Sequence, residues 1–376
     1  MDFVISSSGL VSRLQIVSRV INSKNTLAIL DNFYIHIEDG LMQITGSDLE
    51  STLTAHLPLD SANGSITFGI EAKRMLDVMK EFSEQPLTFN IDEQSLKIDI
   101  NSENGKYSLM GVNVDDFPQI PVLSSEKTSK LQMHPQVLYT GISSSLFATA
   151  NDELRPVMNG ILVEFDTEGT NFVATDAHKL VRYRRTDVIA EEPDKFILPQ
   201  KPAAILKNIL PKADGEVMIE FDNKNAFFTF SDFQLICRLV EGSYPNYVAV
   251  IPVNNPNKLV VDRGLLFSNL KRVAVCSNQA SNLVKLHITG NQLEISAQDI
   301  DYSVSGYESQ HCVYEGDEMN IGFKSPFLME ILQNISTPEV LIELSDPTRA
   351  GLVLPKDNDN PDEHILMLLM PMMINN

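Results

Sequence analysis

Apolar and polar residues alternate along FYIHIEDGLMQITGSDLE, and the alternation returns in ILVEFDTEGTNFVATDAHK and again in VKLHITGNQLEISAQDID. Period-two alternation over such runs predicts half-buried β-strands. Each copy reads as a strand, a tight turn, a second strand, a short segment with an Asp, and another strand. The copies lie at residues 32–56, 158–182 and 281–307, and their Asp recurs as Asp48, Asp176 and Asp299, 128 and then 123 residues apart. Repeats of that length are whole domains, because solenoid units recur every ~20–50 residues. A triplicated domain predicts a pseudo-symmetric assembly.

Between the strands the period changes to that of a helix. Leu10, Leu14, Val17 and Ile21 predict a helix over 10–21, with counterparts over 136–150 and 264–277. A second set is expected at 72–82, 202–210 and 325–335, each after a strand-like run: SITFGI, KFILP and MNIGF. In the third of these, Ser325-Pro326 reads as an N-cap followed by Pro in the first turn. Further alternating runs, LTFNID with LKIDI and VMIEF with AFFTF, predict more strands. The expected fold class is therefore α+β: three similar domains, each with two helices packed on antiparallel sheets.

Two Pro-rich linkers, 115–130 and 241–258, divide the chain. Each carries an aromatic-Pro pair and then Ile-Pro-Val: Phe117-Pro118 with Ile120-Pro121-Val122, and Tyr244-Pro245 with Ile251-Pro252-Val253. Pro fixes φ and donates no hydrogen bond, so extended connectors are expected. The domains follow as 1–124, 125–252 and 253–376.

Composition narrows the function. The 376 residues are 43% hydrophobic, ordinary for a chain with real cores. The apolar stretch 365–373 is interrupted by Pro371 and is too short to span a bilayer. MDFVISSSGL lacks a signal-peptide pattern, so a cytoplasmic location is expected. Cys237, Cys276 and Cys312 are too few and too far apart for a disulfide framework or a metal cluster. A net charge of −21 opposes tight phosphate binding by the chain as a whole. Yet the helices carry Arg13 and Arg19, Lys73, Arg74 and Lys80, Lys201 and Lys207, Lys271 and Arg272, with Lys324 beside the last. If the helices faced a common axis, the lining would be positive and the exterior negative. The helix at 136–150, without Lys or Arg, fits that picture least.

The ordered segments SDLE (47–50), DDFP (115–118), ELRPVMNGILVEF (153–165), ATDAHKL (174–180), RLVEGSYPNY (238–247) and LLMPM (368–372) make the chain resemble the bacterial sliding clamps, the beta subunits of DNA polymerase III. The resemblance spans the whole chain. It implies a head-to-tail homodimer whose six domains close a ring around duplex DNA, with helices inside and sheets outside. Processivity would come from topological linkage, with the replicative polymerase, an ATP-driven loader and other polymerases or repair proteins bound through short linear motifs. No cofactor, metal or catalytic activity is implied.

On matching positions, the resemblance places a partner-peptide groove at Arg155, Met158, Thr175, Ala177, His178, Lys179 and Leu180. Pro245, Tyr247 and Val250 of the second linker join it, with Leu368, Leu369, Met370, Pro371 and Met372. Thioethers and aliphatics suit a pocket that accepts varied Leu and Phe anchors. Ala177 and Lys179 stand where many members have Gly and Arg, and 373–376 extends past the usual end. Lys24, Lys73, Arg74, Asn151, Lys201 and Asn282 would face DNA, beside an unfavourable Asp152. Tyr107 and Leu109 would meet Val275 and Cys276 at the dimer seam, with Lys73 or Arg74 pairing to Asp299 or Asp301. Two rivals are a non-DNA peptide-binding scaffold and a hydrolase in which Asp176 and His178 share a strand face as an acid–base pair. The hydrolase lacks any nucleophile, P-loop or zinc motif.

Overall fold

The computed structural model describes residues 1–123 and 128–374. The boundary expected at 124/125, residues 124–127 of the first linker, and Asn375 and Asn376 lie outside the described residues. Six α-helices occur among the described residues: α1 (Ser7–Val17), α2 (Ala72–Met79), α3 (Pro135–Ser145), α4 (Gln200–Ile209), α5 (Arg263–Val273) and α6 (Ser325–Gln333). They match the two expected sets but stop earlier at several ends. The last turns of the predicted 136–150 and 264–277 helices are 3-10 turns at Leu146–Ala148 and Ala274–Cys276.

Each opening helix buries one stripe. Leu10, Leu14 and Val17 of α1 and Leu266, Leu270 and Val273 of α5 are buried. Ser6 and Asp262 cap these helices by accepting from the N–H groups of Gly9 (3.1 Å) and Leu265 (2.6 Å). At α6 the expected cap is displaced by one residue. Lys324 occupies the N-cap position without a side-chain hydrogen bond, and Ser325 and Pro326 already lie in the helix. Pro restricts the residue before it, but only Ser325 had to accommodate that, and it is buried in the first turn.

Among the described residues the strands form four antiparallel sheets, and the sheets do not end where the repeats end. One compact unit comprises Met1–Gln136 with Ile205–Leu239, the other Val137–Ala204 with the chain from Val240 onward. In the first unit, Phe233–Arg238 of the second repeat pairs with Ser51–Pro58 of the first (Leu235 opposite Leu53), which fuses two four-stranded halves into eight strands. In the second unit, Lys179–Arg185 of the second repeat pairs with Glu363–Leu369 of the third (Leu180 opposite Leu368), inside a nine-stranded sheet. The compact units therefore cut through the central repeat. Each unit also has one unfused sheet. Lys106–Met110 is the edge of a five-stranded sheet in the first, and Val304–His311 the edge of a four-stranded sheet in the second.

Alternation accounts for most of the burial. Phe33, Ile35 and Ile37, and likewise Val284, Leu286 and Ile288, point to the helix-covered face. Gly160–Asp166 departs from this pattern, because Ile161, Leu162, Val163 and Phe165 are all buried. Its outer face lies under the second linker, where Tyr244, Tyr247, Leu162, Val173, Leu180, Ile197, Leu352 and Leu368 form a separate apolar cluster. The first linker does the same on a smaller scale, with the Phe117 ring tilted against Tyr34 at 5.1 Å. Among the described residues no helix is long and apolar enough to cross a membrane.

Candidate peptide-binding groove

The residues expected to line the groove gather around one turn. Asp176 Oδ1 accepts from the backbone N–H groups of His178 (2.9 Å) and Lys179 (2.8 Å), and the Thr175 hydroxyl donates to Lys179 O (2.8 Å). These bonds hold Ala177 at φ +74°, a left-handed conformation that favours glycine. The turn presents Ala177 and His178 outward and sends Lys179 inward, only 5% exposed. Lys179 Nζ sits 2.9 Å from Asp176 Oδ2, 3.0 Å from Glu330 Oε2 and 4.4 Å from the Phe327 ring centroid. Lys324 Nζ approaches the same ring at 4.8 Å, and the His178 imidazole stacks on it at 5.8 Å. Phe327 is thus a hub that joins the turn to α6 through cation–π and stacking contacts.

This arrangement removes the acid–base pair expected of a hydrolase. Asp176 and His178 lie in a turn, not on one face of a strand. The Asp176 carboxylate is spent on two backbone N–H groups and on Lys179, and the His178 ring on Phe327.

The C-terminal segment closes one side. Met370 N–H donates to His178 O at 2.9 Å and Met372 N–H to Gly322 O at 2.8 Å, with Pro371 between them. Met370 remains 42% exposed, while Leu368 and Leu369 are buried. The outer-face cluster forms the floor: Leu180 and Leu368 sit beside Val173, Leu162 and Leu352, roofed by Tyr244 and Tyr247. Tyr244 donates to Val173 O (3.4 Å) and Tyr247 to the Glu164 carboxylate. Burial pushes both phenols above the ordinary range, so they stay neutral donors. Val250 and Pro245 are exposed on the linker. Met158 is buried beneath the surface, and Arg155 is exposed, its Nε 2.8 Å from Asp152 Oδ2. The Arg155 hydrogen bond and charge hold the Asp152 carboxyl below its usual range, so Asp152 is part of an ion pair and not a bare repulsive charge.

Sequence reasoning named the walls and part of the floor, Leu180 and Leu368. Leu162, Val173 and Leu352 of the floor, Tyr244 of the roof and the hub Phe327 are not in the expected groove set. The signal for the floor was present: ILVEF and FVAT break the alternation that FYIHI and VKLHI keep, which marks a strand buried on both faces.

The other expected sites fall as follows. Lys24, Lys73 and Arg74 are exposed in the first unit, Arg74 Nε lying 3.1 Å from Glu71. In the second unit Asn151 is exposed, and Lys201 and Asn282 are half-buried. At the expected seam, Tyr107 and Leu109 lie on the edge strand Lys106–Met110, Tyr107 edge-on to Phe82 at 5.1 Å. Val275 and Cys276 follow α5 beside the other edge strand, where Cys276 Sγ would stand 3.0 Å from a Cβ on Gly306. Asp299 differs from expectation. It is buried, with Oδ1 accepting from Asp301 N–H (3.1 Å) and Oδ2 3.4 Å from Asn278 Nδ2. It caps its own turn, which leaves Asp301 as the exposed acid there. Tyr302, Val304 and Tyr307, exposed along the second edge, were not anticipated.

Three α+β repeats fused through continuous antiparallel sheets define the DNA-clamp fold. The chain belongs to the DNA polymerase III beta subunit family: models of its N-terminal, central and C-terminal domains match residues 1–121, 132–246 and 248–373. The beta sliding clamp of Pseudomonas aeruginosa is 27% identical over 362 residues, 96% of this chain and 97% of that one. That of Escherichia coli K12 is 26% identical over 373 residues, 99% and 100% of the two chains. The crystal structure of the Pseudomonas aeruginosa DNA polymerase III subunit beta superposes with a TM-score of 0.92, at 27% identity over all of both chains. The Bartonella birtlesii clamp, solved bound to griselimycin, gives a TM-score of 0.87 at 27% identity, again over all of both chains. The function of the chain is accordingly that of a sliding clamp for DNA polymerase III.

Proposed function

We propose that this clamp acts as a head-to-tail homodimer that encircles duplex DNA in the cytoplasm, has no catalysis of its own, and tethers partners by linear peptides in the groove described above. The groove carries the reading. Tyr244 and Tyr247 of the second linker pack against its apolar floor, and Met370, His178 and Val250 stand exposed around it. Leu or Phe anchors on a peptide suit such a floor, and the exposed thioether can follow different anchors. Arg155 and His178 would orient the peptide's polar groups.

The unfused edges support the dimer. Within the chain, the second repeat's last strand pairs with the first repeat, and the third repeat's last strand with the second. The first repeat's last strand, Lys106–Met110, and the third repeat's Val304–His311 remain unpaired on one side. Pairing these two between copies continues the same scheme and covers Tyr107 and Tyr307, the latter 73% exposed. Lys24, Lys73, Arg74, Asn151, Lys201 and Asn282 would then make loose, screened contacts to phosphates, with affinity falling steeply as salt rises. Ring opening would need a separate ATP-driven loader.

The test is a fluorescence-polarisation titration of a labelled Gln-Leu-Ser-Leu-Phe peptide against wild type and Met370→Ala. Saturable binding, lost or much weakened in the variant, is expected. A wild type that does not bind the peptide at any accessible concentration refutes this assignment of the groove.

A further inference from the structure

The C-terminal segment that walls the groove hangs on two hydrogen bonds, and one ends at a glycine. Gly322 lies in the strand Met319–Lys324, just before α6, and forms an isolated antiparallel bridge with Met372. A Cβ on Gly322 would stand 2.8 Å from Met372 O, 2.8 Å from Leu283 Cδ1 and 3.0 Å from Ile374 Cγ1. The chain past Met370 therefore rests directly on the bare backbone of this strand, with Ile374 folded over the same spot. At the other end, Met370 N–H is held by His178 O. Pro371 has no N–H, so these two bonds use the donors at both positions flanking it, and the Pro ring stiffens the span between them.

The first repeat contains the same device. Gly69, in the matching strand Ile66–Glu71 before α2, exchanges two 2.8 Å hydrogen bonds with Val112, and a Cβ there would stand 2.8 Å from Val112 Cγ2 and 3.0 Å from Val114 Cγ1. In the first repeat the segment so held leads into a linker. In the third it is the groove wall.

We infer that Gly322 is a positioning residue for partner binding: its missing side chain lets residues 370–374 lie flat on Met319–Lys324 and so fixes Met370 and Pro371 against the groove floor. The inference rests on the groove being the partner site. A methyl at 322 has to displace Met372, because a backbone carbonyl cannot yield as a flexible side-chain end can. The displacement frees the Met372 N–H and slackens the wall, while the floor and the Asp176 turn stay as they are. A wall that must be ordered again on each binding event lowers affinity for every peptide that uses it.

The experiment compares wild type, Gly322→Ala and Gly69→Ala as full chains, by polarisation with the labelled Gln-Leu-Ser-Leu-Phe peptide and by residue-resolved amide hydrogen exchange. Gly322→Ala is expected to bind at least ten-fold more weakly and to lose exchange protection at Met372 and Met370, with protection in Leu180 and Val181 unchanged. Gly69→Ala suffers the same kind of crowding elsewhere and is expected to keep wild-type affinity. Unchanged protection at Met372 in Gly322→Ala overturns the inference, as does wild-type peptide affinity despite lost protection. A wild type that binds no peptide refutes the groove, and exchange then still decides whether Gly322 fixes the wall.

Discussion

Replacing Lys179 with Met tests whether the buried ammonium holds the turn to α6. Met preserves length and packing, and its thioether can still lie against Phe327, so the change isolates the charge. In wild type the ammonium serves Asp176 Oδ2 at 2.9 Å and Glu330 Oε2 at 3.0 Å. Asp176 retains its two backbone donors without it, but Glu330 Oε2 has no hydrogen-bond partner of good geometry and depends on the lysine charge. Breaking a fully buried pair costs about 3–5 kcal/mol and an exposed one about 0–1. Here the lysine is 5% exposed but the Glu330 side chain is 42% exposed and can turn toward water, which places the loss near 2 kcal/mol. The chain has no Trp, so unfolding in urea is followed by far-UV circular dichroism. Lys179→Met should lower the urea midpoint, and Lys179→Met with Glu330→Gln should recover about 1 kcal/mol of it through the coupling of the pair. A Lys179→Met protein as stable as wild type within about 0.5 kcal/mol, or a double variant with purely additive losses, would refute the clasp.

Other consequences can be checked independently. Ala177→Gly removes the left-handed strain of about 1–2 kcal/mol but adds unfolded-state entropy, so a net gain of about 0.5–1 kcal/mol is expected in the same urea assay. Tyr107→Ala deletes about 2 kcal/mol of apolar contact per seam. A closed two-seam ring loses it twice, which predicts roughly a thousand-fold weaker dimerisation by sedimentation; an unchanged dimer would place the seam elsewhere. Desolvation pushes the buried Cys237 thiol up to about 12. Its raised value means that the stability it contributes is full below the unfolded thiol range near 8.5 and is lost only as pH climbs toward 12. At pH 8, iodoacetamide should accordingly leave Cys237 unmodified in the native protein and alkylate it on unfolding, as read by peptide mass mapping.

Period and punctuation made the strands, the six helices and the tripled Asp visible in the chain, because each is a local pattern with a local cause. What stayed hidden depends on which face a residue shows to a distant segment. Lys179 reads as a surface charge, yet Glu330 and Phe327, some 150 residues on, make its burial possible. The strand pairings across repeats leave no local mark, since an edge that will be covered and one that stays open alternate alike. The repeat spacing groups Asp299 with Asp48 and Asp176, and like them it accepts from a backbone N–H of its own turn, so Asp301 is the more exposed of the two acids that the resemblance offers for the seam.

The three Asp turns also show where the groove comes from. Asp48 Oδ1 accepts from Glu50 and Ser51 N–H as Asp176 Oδ1 does from His178 and Lys179, and Leu49 is left-handed at φ +79° as Ala177 is at +74°. Even the supporting hydroxyl recurs, Ser47 donating to Ser51 O as Thr175 does to Lys179 O. The backbone at the two fusions is therefore nearly one design, and the difference lies in what is hung on it. At the first fusion Leu49 and Glu50 meet Arg238 and Lys224 around a cavity of about 310 Å³ that Ile236 and Pro121 also line. At the second, Ala177 and His178 meet Met370 above an apolar floor. On the proposed assignment an apolar anchor gains more at the second, because at the first it would have to desolvate Glu50, Lys224 and Arg238. The scaffold is repeated, and the side chains hung on each copy decide what that copy can bind.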